Sequence, residues 1–242
     1  MINNRFIIIV PCYNVADWLT INLSIIKHQS YNNFLCIVID DNSTDNTEDV
    51  VARFANKNNG SQAKAYMAGI DFLESNNVLK DEDILVEVDG DDWLSSVFTL
   101  DYLNHVYQNA NIWMSYGQYQ LYPTAQLGGH YNMHLCSEDV QRQQPFAYSH
   151  LKTYKYWLFN KIDRQDLIDP ETGTYYNITW DFVLCMPMVE MAGRERVYRC
   201  EDVLYILNRS ETLNNEGKIR VADQKNIEYK IRTKPKYNKI SA

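Results

Sequence analysis

The sequence predicts an α/β fold: a mostly parallel sheet with helices on both faces, plus a smaller region in the second half of the chain. Three observations predict it. Short apolar runs alternate with segments of helical spacing over roughly the first 100 residues, the order of a β-α-β-α-β series. The runs are continuous rather than alternating, as in strands covered on both sides. Acidic residues collect just past the ends of two of them, where open α/β sheets bind ligands.

The elements follow in order. Phe6-Ile7-Ile8-Ile9-Val10 reads as a fully buried strand ended by Pro11. Asp17 is placed to cap a helix from 18 to about 29, with Leu19, Ile21, Leu23, Ile25 and Ile26 as its apolar positions. Leu35-Cys36-Ile37-Val38-Ile39 is a second buried strand, ending in Asp40-Asp41. Ser43 or Thr44 suits the cap of the next helix, which sets Val50, Val51 and Phe54 on one face. Lys57-Asn58-Asn59-Gly60 breaks it, and a further helix covers 63–73. The apolar run Ile84-Leu85-Val86 is a strand that leads to Asp89. Beyond about 100 the pattern weakens, and the segment to 148 reads as mixed strand and loop. Residues 150–167 read as helical in part, and 182–192 as a helix interrupted by Pro187 and stopped by Gly193. Val203-Leu204-Tyr205-Ile206-Leu207 is a late strand.

Composition narrows the class. The 242 residues are 45% hydrophobic and 22% charged, ordinary for a soluble globular protein, and the 18 tyrosines suit recognition surfaces. Five scattered cysteines, Cys12, Cys36, Cys136, Cys185 and Cys200, form no C-x-x-C pair. That argues against a zinc site or disulfide framework and fits a reducing compartment, so the expected location is the cytoplasm. The run at Phe6 is too short for a signal peptide or a membrane span. Net charge is −8, divided unevenly: residues 214–242 carry eight Lys/Arg against three Asp/Glu, or +5, leaving −13 on the rest. A basic tail can make peripheral contact with a membrane of anionic lipid, although such tails are more often solvated ends. The acidic body disfavours nucleic acid, whose binding needs phosphate neutralisation.

The chemistry concentrates in Glu87-Val88-Asp89-Gly90-Asp91-Asp92-Trp93. Carboxylates so close repel one another unless a cation or hydrogen-bond donors offset the charge. Hard Mg²⁺ or Mn²⁺ favours oxygen ligands and commonly carries a substrate's phosphates. The alternative is a solvated acidic turn. In a parallel sheet Asp40-Asp41 and Pro11-Cys12-Tyr13-Asn14 stand on the same edge. Asn14 offers amide donors and acceptors for a base or ribose, and Tyr13 a stacking face. No G-x-G-x-x-G or G-x-x-x-x-G-K-[ST] occurs, so neither a dinucleotide fingerprint nor a phosphate loop is supported.

The ordered trio Ile9-Val10-Pro11-Cys12-Tyr13-Asn14, Ile39-Asp40-Asp41-Asn42-Ser43-Thr44-Asp45 and Val88-Asp89-Gly90-Asp91-Asp92-Trp93-Leu94 resembles family 2 glycosyltransferases of the GT-A fold, a Rossmann-like sheet. Thr179-Trp180-Asp181 resembles the family's acidic base motif at a helix start, and Leu204-Tyr205 with Asn208-Arg209-Ser210 the closing segment of short members. The resemblance implies an inverting enzyme using a nucleotide-diphosphate sugar, most often a UDP-sugar. It also implies roles for particular residues. Pro11, Tyr13 and Asn14 would frame the nucleotide; Asp40 and Asp41 would bond base and ribose; Asp89 would meet the ribose or the metal, Asp91 would ligate Mn²⁺ or Mg²⁺, and Asp181 would be the general base. Residues 1–100 would form the nucleotide-sugar half and 101–213 the acceptor and base half of one domain.

The physics agrees with these roles. An inverting transfer needs a carboxylate to take the acceptor's proton and a charge partner for the departing diphosphate. Trp180 and Phe182 beside Asp181 would raise its pKa, while the plain alternative makes Asp181 a helix N-cap. His150-Leu151-Lys152-Thr153-Tyr154-Lys155 offers cations to the diphosphate or the acceptor, or else begins a surface helix. Arg209, with Ser210 and Thr212, is suited to clamp phosphate or to form a structural ion pair. Asn42 stands where many relatives have Gly, and no histidine follows His150 to serve as a further metal ligand. The Q-x-x-R-W sequence of processive synthases is absent, which points to addition of single sugars. A nucleotidyltransferase would bring a Gly-rich basic loop near its N-terminus, and Pro11-Cys12-Tyr13-Asn14 is neither. A non-catalytic subunit that binds nucleotide sugars stays open, as do a glycan, another hydroxyl acceptor and a modified nucleic-acid base.

Overall fold

The computed structural model describes residues 2–54, 62–130, 142–176, 178–210 and 221–241. In chain order its elements are β1 (Phe6–Cys12), α1 (Ala16–Lys27), β2 (Phe34–Asp40), α2 (Thr47–Phe54), α3 (Gln62–Ser75), β3 (Ile84–Glu87), β4 (Trp93–Leu94), α4 (Thr99–Val106), β5 (Met114–Tyr122) and β6 (Leu127–Gly128). There follow β7 (Thr153–Lys155), α5 (Tyr156–Phe159), β8 (Ile168–Asp169), β9 (Thr174–Tyr175), α6 (Trp180–Ala192), β10 (Val197–Asn208) and α7 (Val221–Thr233).

The isoleucine-rich β1 organises the fold. All of it is buried, and it pairs in parallel with β2 on one side and β3 on the other. Successive side chains of a strand point to opposite faces. Ile7 and Ile9 join a core with Ala65, Met67 and Ile70 of α3 and with the apolar length of α6. Phe6, Ile8 and Val10 join a second core with Leu19 and Leu23 of α1, Val51 of α2 and Leu103 of α4. A strand apolar on both faces needs cover on both, and the helices supply it.

The sheet runs β2-β1-β3-β7-β5-β10-β4, with β6 beside β5. The long ladders, β1–β2, β1–β3 and β5–β10, are parallel; the antiparallel pairings of β7, β4 and β6 are only two or three residues long. The α/β class with a mostly parallel sheet is what the continuous apolar runs imply.

Several local expectations are corrected. Residues 153–155 form β7, wedged between β3 and β5, rather than the start of a surface helix. Its polar groups find buried partners there: Thr153 Oγ1 meets Ser115 at 2.6 Å and Tyr107 at 2.8 Å, and Tyr154 meets Tyr66 at 2.5 Å. Residues 99–106 are helical, with Leu100, Leu103 and Val106 on the buried face. Helix α1 starts after Val15, whose N–H donates to Thr47 Oγ1; Asp17 lies in its first turn, where a carboxylate suits the helix dipole. Helix α2 starts at Thr47, whose N–H donates to Asp45, because Ser43 donates to Asp40 and the Thr44 N–H donates to Asn14. Helix α6 runs through Pro187 without interruption, held by near-complete burial of Leu184, Met188 and Val189, and Gly193 at φ 70 ends it.

The C-terminal segment departs furthest from expectation. It is a docked segment, not a solvated end. Ile231 of α7 is 4% exposed in the core that contains α6. The Tyr237 N–H donates to Glu190 at 2.9 Å and the Ile240 N–H to the Met191 carbonyl at 2.9 Å. Its cations pair locally: Lys230 with Glu171 at 2.6 Å, Lys234 with Asp166 at 3.1 Å, Lys239 with Glu195 at 2.9 Å. Among the described residues no helix is long and apolar enough to cross a membrane. Cys12, Cys36, Cys185 and Cys200 are free thiols. The 57–60 break, Cys136 and Thr212 lie outside the described residues.

Candidate active site

The acidic turn between β3 and β4 is clamped from two sides. Gly90 lies against the end of β1, its N–H donating to the Pro11 carbonyl at 3.0 Å; a Cβ there would stand 2.6 Å from Cys12 Cβ, so only glycine fits. Asn22, fully buried on α1, donates through Nδ2 to the carbonyls of Asp89 (2.9 Å) and Asp92 (2.7 Å). From β10, Tyr205 Oη donates to Asp92 at 2.8 Å and accepts the Asp89 N–H at 3.1 Å. The Asn208 N–H also donates to Asp92 at 2.7 Å, and Asn208 Nδ2 donates to the Asp91 carbonyl. Asp92 is thus a buried fastener. Burial lifts its pKa well above the usual carboxylate range, and Asp91 and Asp89 add to the effect.

The turn's other two carboxylates are Asp89 and Asp91, both partly buried. Burial raises the Asp91 pKa, and the charge of Arg209 only partly opposes it. A carboxylate short of positive charge is one a cation would stabilise. Among the described residues no three His, Cys, Asp or Glu side chains gather to hold a metal. Mg²⁺ and Mn²⁺ commonly need only one or two carboxylates when substrate phosphates supply the other oxygens, and Asp89 with Asp91 fits that mode.

The ends of β1 and β2 meet beside this turn, where the Asp41 N–H donates to the Cys12 carbonyl at 2.8 Å. Pro11 is buried and Tyr13 is 54% exposed. Asn14, at φ 52, uses Oδ1 to accept the Thr44 N–H (2.7 Å) and the Asp45 N–H (3.3 Å), so it shapes the 43–45 turn. Asp40 is buried and accepts from Ser43 Oγ at 2.5 Å. Asp41 is half-buried; burial and Asp40 raise its pKa, and Lys64 opposes them. Asn42 at φ 63 occupies a left-handed position that asparagine tolerates, which accounts for its standing where relatives have glycine.

Asp181 lies in the first turn of α6, after Thr179 as N-cap, so it is not the cap. Lys152 Nζ bonds Asp181 Oδ1; the lysine side chain is 1% exposed, the carboxylate 40%. Burial acts to raise the Asp181 pKa, but the Lys152 ammonium outweighs it, and the pKa falls. The rise expected from Trp180 and Phe182 is overturned by the buried ammonium. Lys152 itself is buried and turned onto Asp181. His150 stacks on Tyr205 at 4.6 Å, with Nε2 3.9 Å from Asp181 Oδ2. Burial, Lys152 and Arg209 push its pKa down to about 3, so the ring is neutral and the contact is not ionic. Arg209 is exposed at the end of β10, its N–H on the Tyr122 carbonyl at 2.8 Å.

Asp89 and Asp181 line one open cleft of about 290 Å³. Phe146, Trp180 and Phe182 form its apolar wall, and Gln224 and Glu228 of α7 its far side. The sequence reading missed Asn22, Gln224 and Glu228, and gave Glu87 no role beyond the acidic stretch. Asn22 interrupts the buried stripe Leu19-Leu23-Ile26, a legible signal. Glu87 is 3% exposed, with its pKa raised by burial, and Lys152 opposes the rise. Gln224 and Glu228 enter only because α7 folds back, and nothing local announces that.

The chain matches the model of glycosyl transferase family 2 over residues 7–161. No curated protein matches it in sequence. Among solved structures it resembles TarS 1-349 of S. aureus in complex with UDP, with TM-score 0.62 and 17% identity, covering 85% of this chain and 61% of that one. It resembles the mannosyltransferase PcManGT of Pyrobaculum calidifontis in complex with GDP-Man and Mn²⁺, with TM-score 0.62 and 17% identity over 96% and 65% of the two chains. It also resembles glucosyl-3-phosphoglycerate synthase of Mycobacterium tuberculosis with Mn²⁺ and UDP-glucose, at TM-score 0.56 and 14% identity over 93% and 79%. The chain thus spans about three fifths of the TarS fragment's length. Its acidic turn, its sheet and the family match over most of its length agree: the chain belongs to glycosyl transferase family 2 and has the GT-A fold.

Proposed function

We propose that the enzyme moves one sugar, with inversion, from a UDP-hexose to a hydroxyl of a glycan acceptor. The observation that carries this reading is the shared cleft: Asp89 of the acidic turn and Asp181 of α6 line the same opening. In the reaction the acceptor hydroxyl gives its proton to the Asp181 carboxylate. The acceptor oxygen attacks the anomeric carbon from the face opposite the diphosphate, and the bond to the diphosphate oxygen breaks with its electron pair. Lys152 fixes Oδ1 and keeps Asp181 ionised, so that it is ready as a base. His150, neutral and stacked on Tyr205, borders the other carboxylate oxygen. Asp91 and Asp89 would hold Mn²⁺ or Mg²⁺, whose chemistry when bound is neutralisation of the leaving diphosphate. Tyr13, Asp41 and Arg209 are the accessible donor-side groups for the nucleotide. Asn14 and Asp40 support that side from within the turns.

The test is a panel of nucleotide sugars scored for slow hydrolysis and for thermal stabilisation, with and without Mn²⁺. The expected result is a response to one UDP-sugar that EDTA abolishes. A folded protein that responds to no donor would overturn the reading in favour of a non-catalytic domain.

A further inference from the structure

We propose that α7 is the acceptor wall of the cleft, and that Gln224 and Glu228 select an uncharged, hydroxyl-bearing sugar ring over one that carries phosphate or carboxylate. This inference rests on the glycosyl-transfer reading above and adds the acceptor class to it.

The charge of the cleft is one-sided. Asp89, Asp181 and Glu228 line it, and among the described residues no Lys or Arg does. Two cations behind the lining are held by the cleft's own carboxylates and their surroundings. Lys152 is 1% exposed and bonded to Asp181. Arg232 lies over the Phe182 ring at 4.6 Å and donates to the carbonyls of Arg142 and of Gln144, the latter at 2.8 Å. Its remaining reach goes to Glu228 itself, at 3.2 Å. Among the described lining residues an anionic acceptor would meet three carboxylates and no cation facing the opening, an arrangement that selects against it.

The neutral part of the lining suits a sugar. Phe146, Trp180 and Phe182 offer apolar surface for the C–H face of a ring, and Gln224 and Glu228 offer amide and carboxylate partners for its hydroxyls. The wall is built in rather than loosely applied. Ile231 anchors α7 in the core, and Arg142, 4% exposed, donates to the carbonyls of Ile231 (2.8 Å) and Lys234 (2.6 Å).

The full chain is assayed with the donor found in the panel and paired acceptors: nitrophenyl β-hexosides and the same glycosides bearing a 6-phosphate. The expected result is transfer to the neutral glycosides, with kcat/KM lower for the phosphates by about tenfold or more. Glu228→Lys should narrow that gap, and Gln224→Ala should raise the KM of the neutral acceptor while donor KM stays in place. Gln224 is exposed, so its replacement tests the wall even where Glu228→Lys unsettles the helix. Equal use of phosphorylated acceptors would overturn the proposal. So would acceptor kinetics that neither variant changes, or donor turnover with no glycoside accepted. If EDTA-sensitive donor hydrolysis is itself missing, the transferase reading fails first. If hydrolysis is present and selectivity is flat, only the wall assignment fails.

Discussion

Replacing Arg142 with methionine should destabilise the protein by about 3–5 kcal/mol, the usual consequence of leaving half of a buried ion pair behind. Arg142 is 4% exposed and makes five hydrogen bonds: two to Glu190 on α6 and three to the carbonyls of Ile231, Lys234 and Pro235. Methionine fills much of the volume and makes none of these bonds. Glu190, with a side chain only 8% exposed, would keep the Tyr237 N–H but lose both guanidinium bonds. For a chain of this length about 1 kcal/mol corresponds to roughly 2–4 °C in Tm, so the midpoint should fall by about 6–20 °C. The assay is urea unfolding of the full chain followed by tryptophan fluorescence, run as a cycle with Glu190→Met. The double variant removes the stranded charge and should recover part of the loss. Recovery stays incomplete because the Tyr237 N–H loses its acceptor. A single variant within about 1 kcal/mol of the parent, or a double variant no better than Arg142→Met, would refute the idea that this pair fastens the C-terminal segment.

Three further outcomes follow from the same structure. Lys152→Met removes the cation that holds Asp181 below its ordinary pKa, so the acid limb of the rate profile should move to higher pH, with donor KM largely kept; an unmoved limb would sever Lys152 from the base. His150 is neutral when folded, with its pKa pushed down to about 3, whereas the unfolded chain titrates near about 6.5. Stability tied to His150 is therefore complete above the unfolded value and is lost as pH falls toward the folded one. His150→Phe keeps an aromatic ring on Tyr205 and should flatten urea midpoints measured across that window; the same slope as the parent would count against it. Gly90→Ala would set a methyl 2.6 Å from Cys12 Cβ and 3.1 Å from the Pro11 carbonyl oxygen, and should cost about 1–3 kcal/mol together with donor-induced stabilisation, read by urea and thermal melts.

What was legible in the sequence was what neighbouring residues decide. A run such as Ile7-Ile8-Ile9 has no polar face to show, so it must lie between two layers, and both cores confirm it. Asp89 and Asp91 follow such a run, and position alone brings them to the ligand edge of the sheet. What was not legible depends on partners far along the chain. Nothing local separates Asp92, a fastener, from Asp91, because the difference lies in Tyr205 and Asn208. Lys152 reads as a surface charge until Asp181 and Glu87 are seen to close around it. The C-terminal cations read as a free basic tail, yet their acidic partners lie at Glu171, Asp166 and Glu195, on other elements.

These distant contacts also explain how one cleft can combine two kinds of chemistry. Tyr205 bonds Asp92 and the Asp89 backbone through its hydroxyl, and its ring carries His150. His150 in turn borders Asp181, whose other oxygen is held by Lys152 from β7. The acidic turn and Asp181 are thus tied to one frame of β10 and β7, two strands of the same sheet that both border β5. Orientation fixed before substrate arrives is worth more to a displacement reaction than flexible groups that must be ordered during it. The buried groups of this frame stand against one another: Asp92 against the Tyr205 hydroxyl, and Lys152 against Asp181 and Glu87.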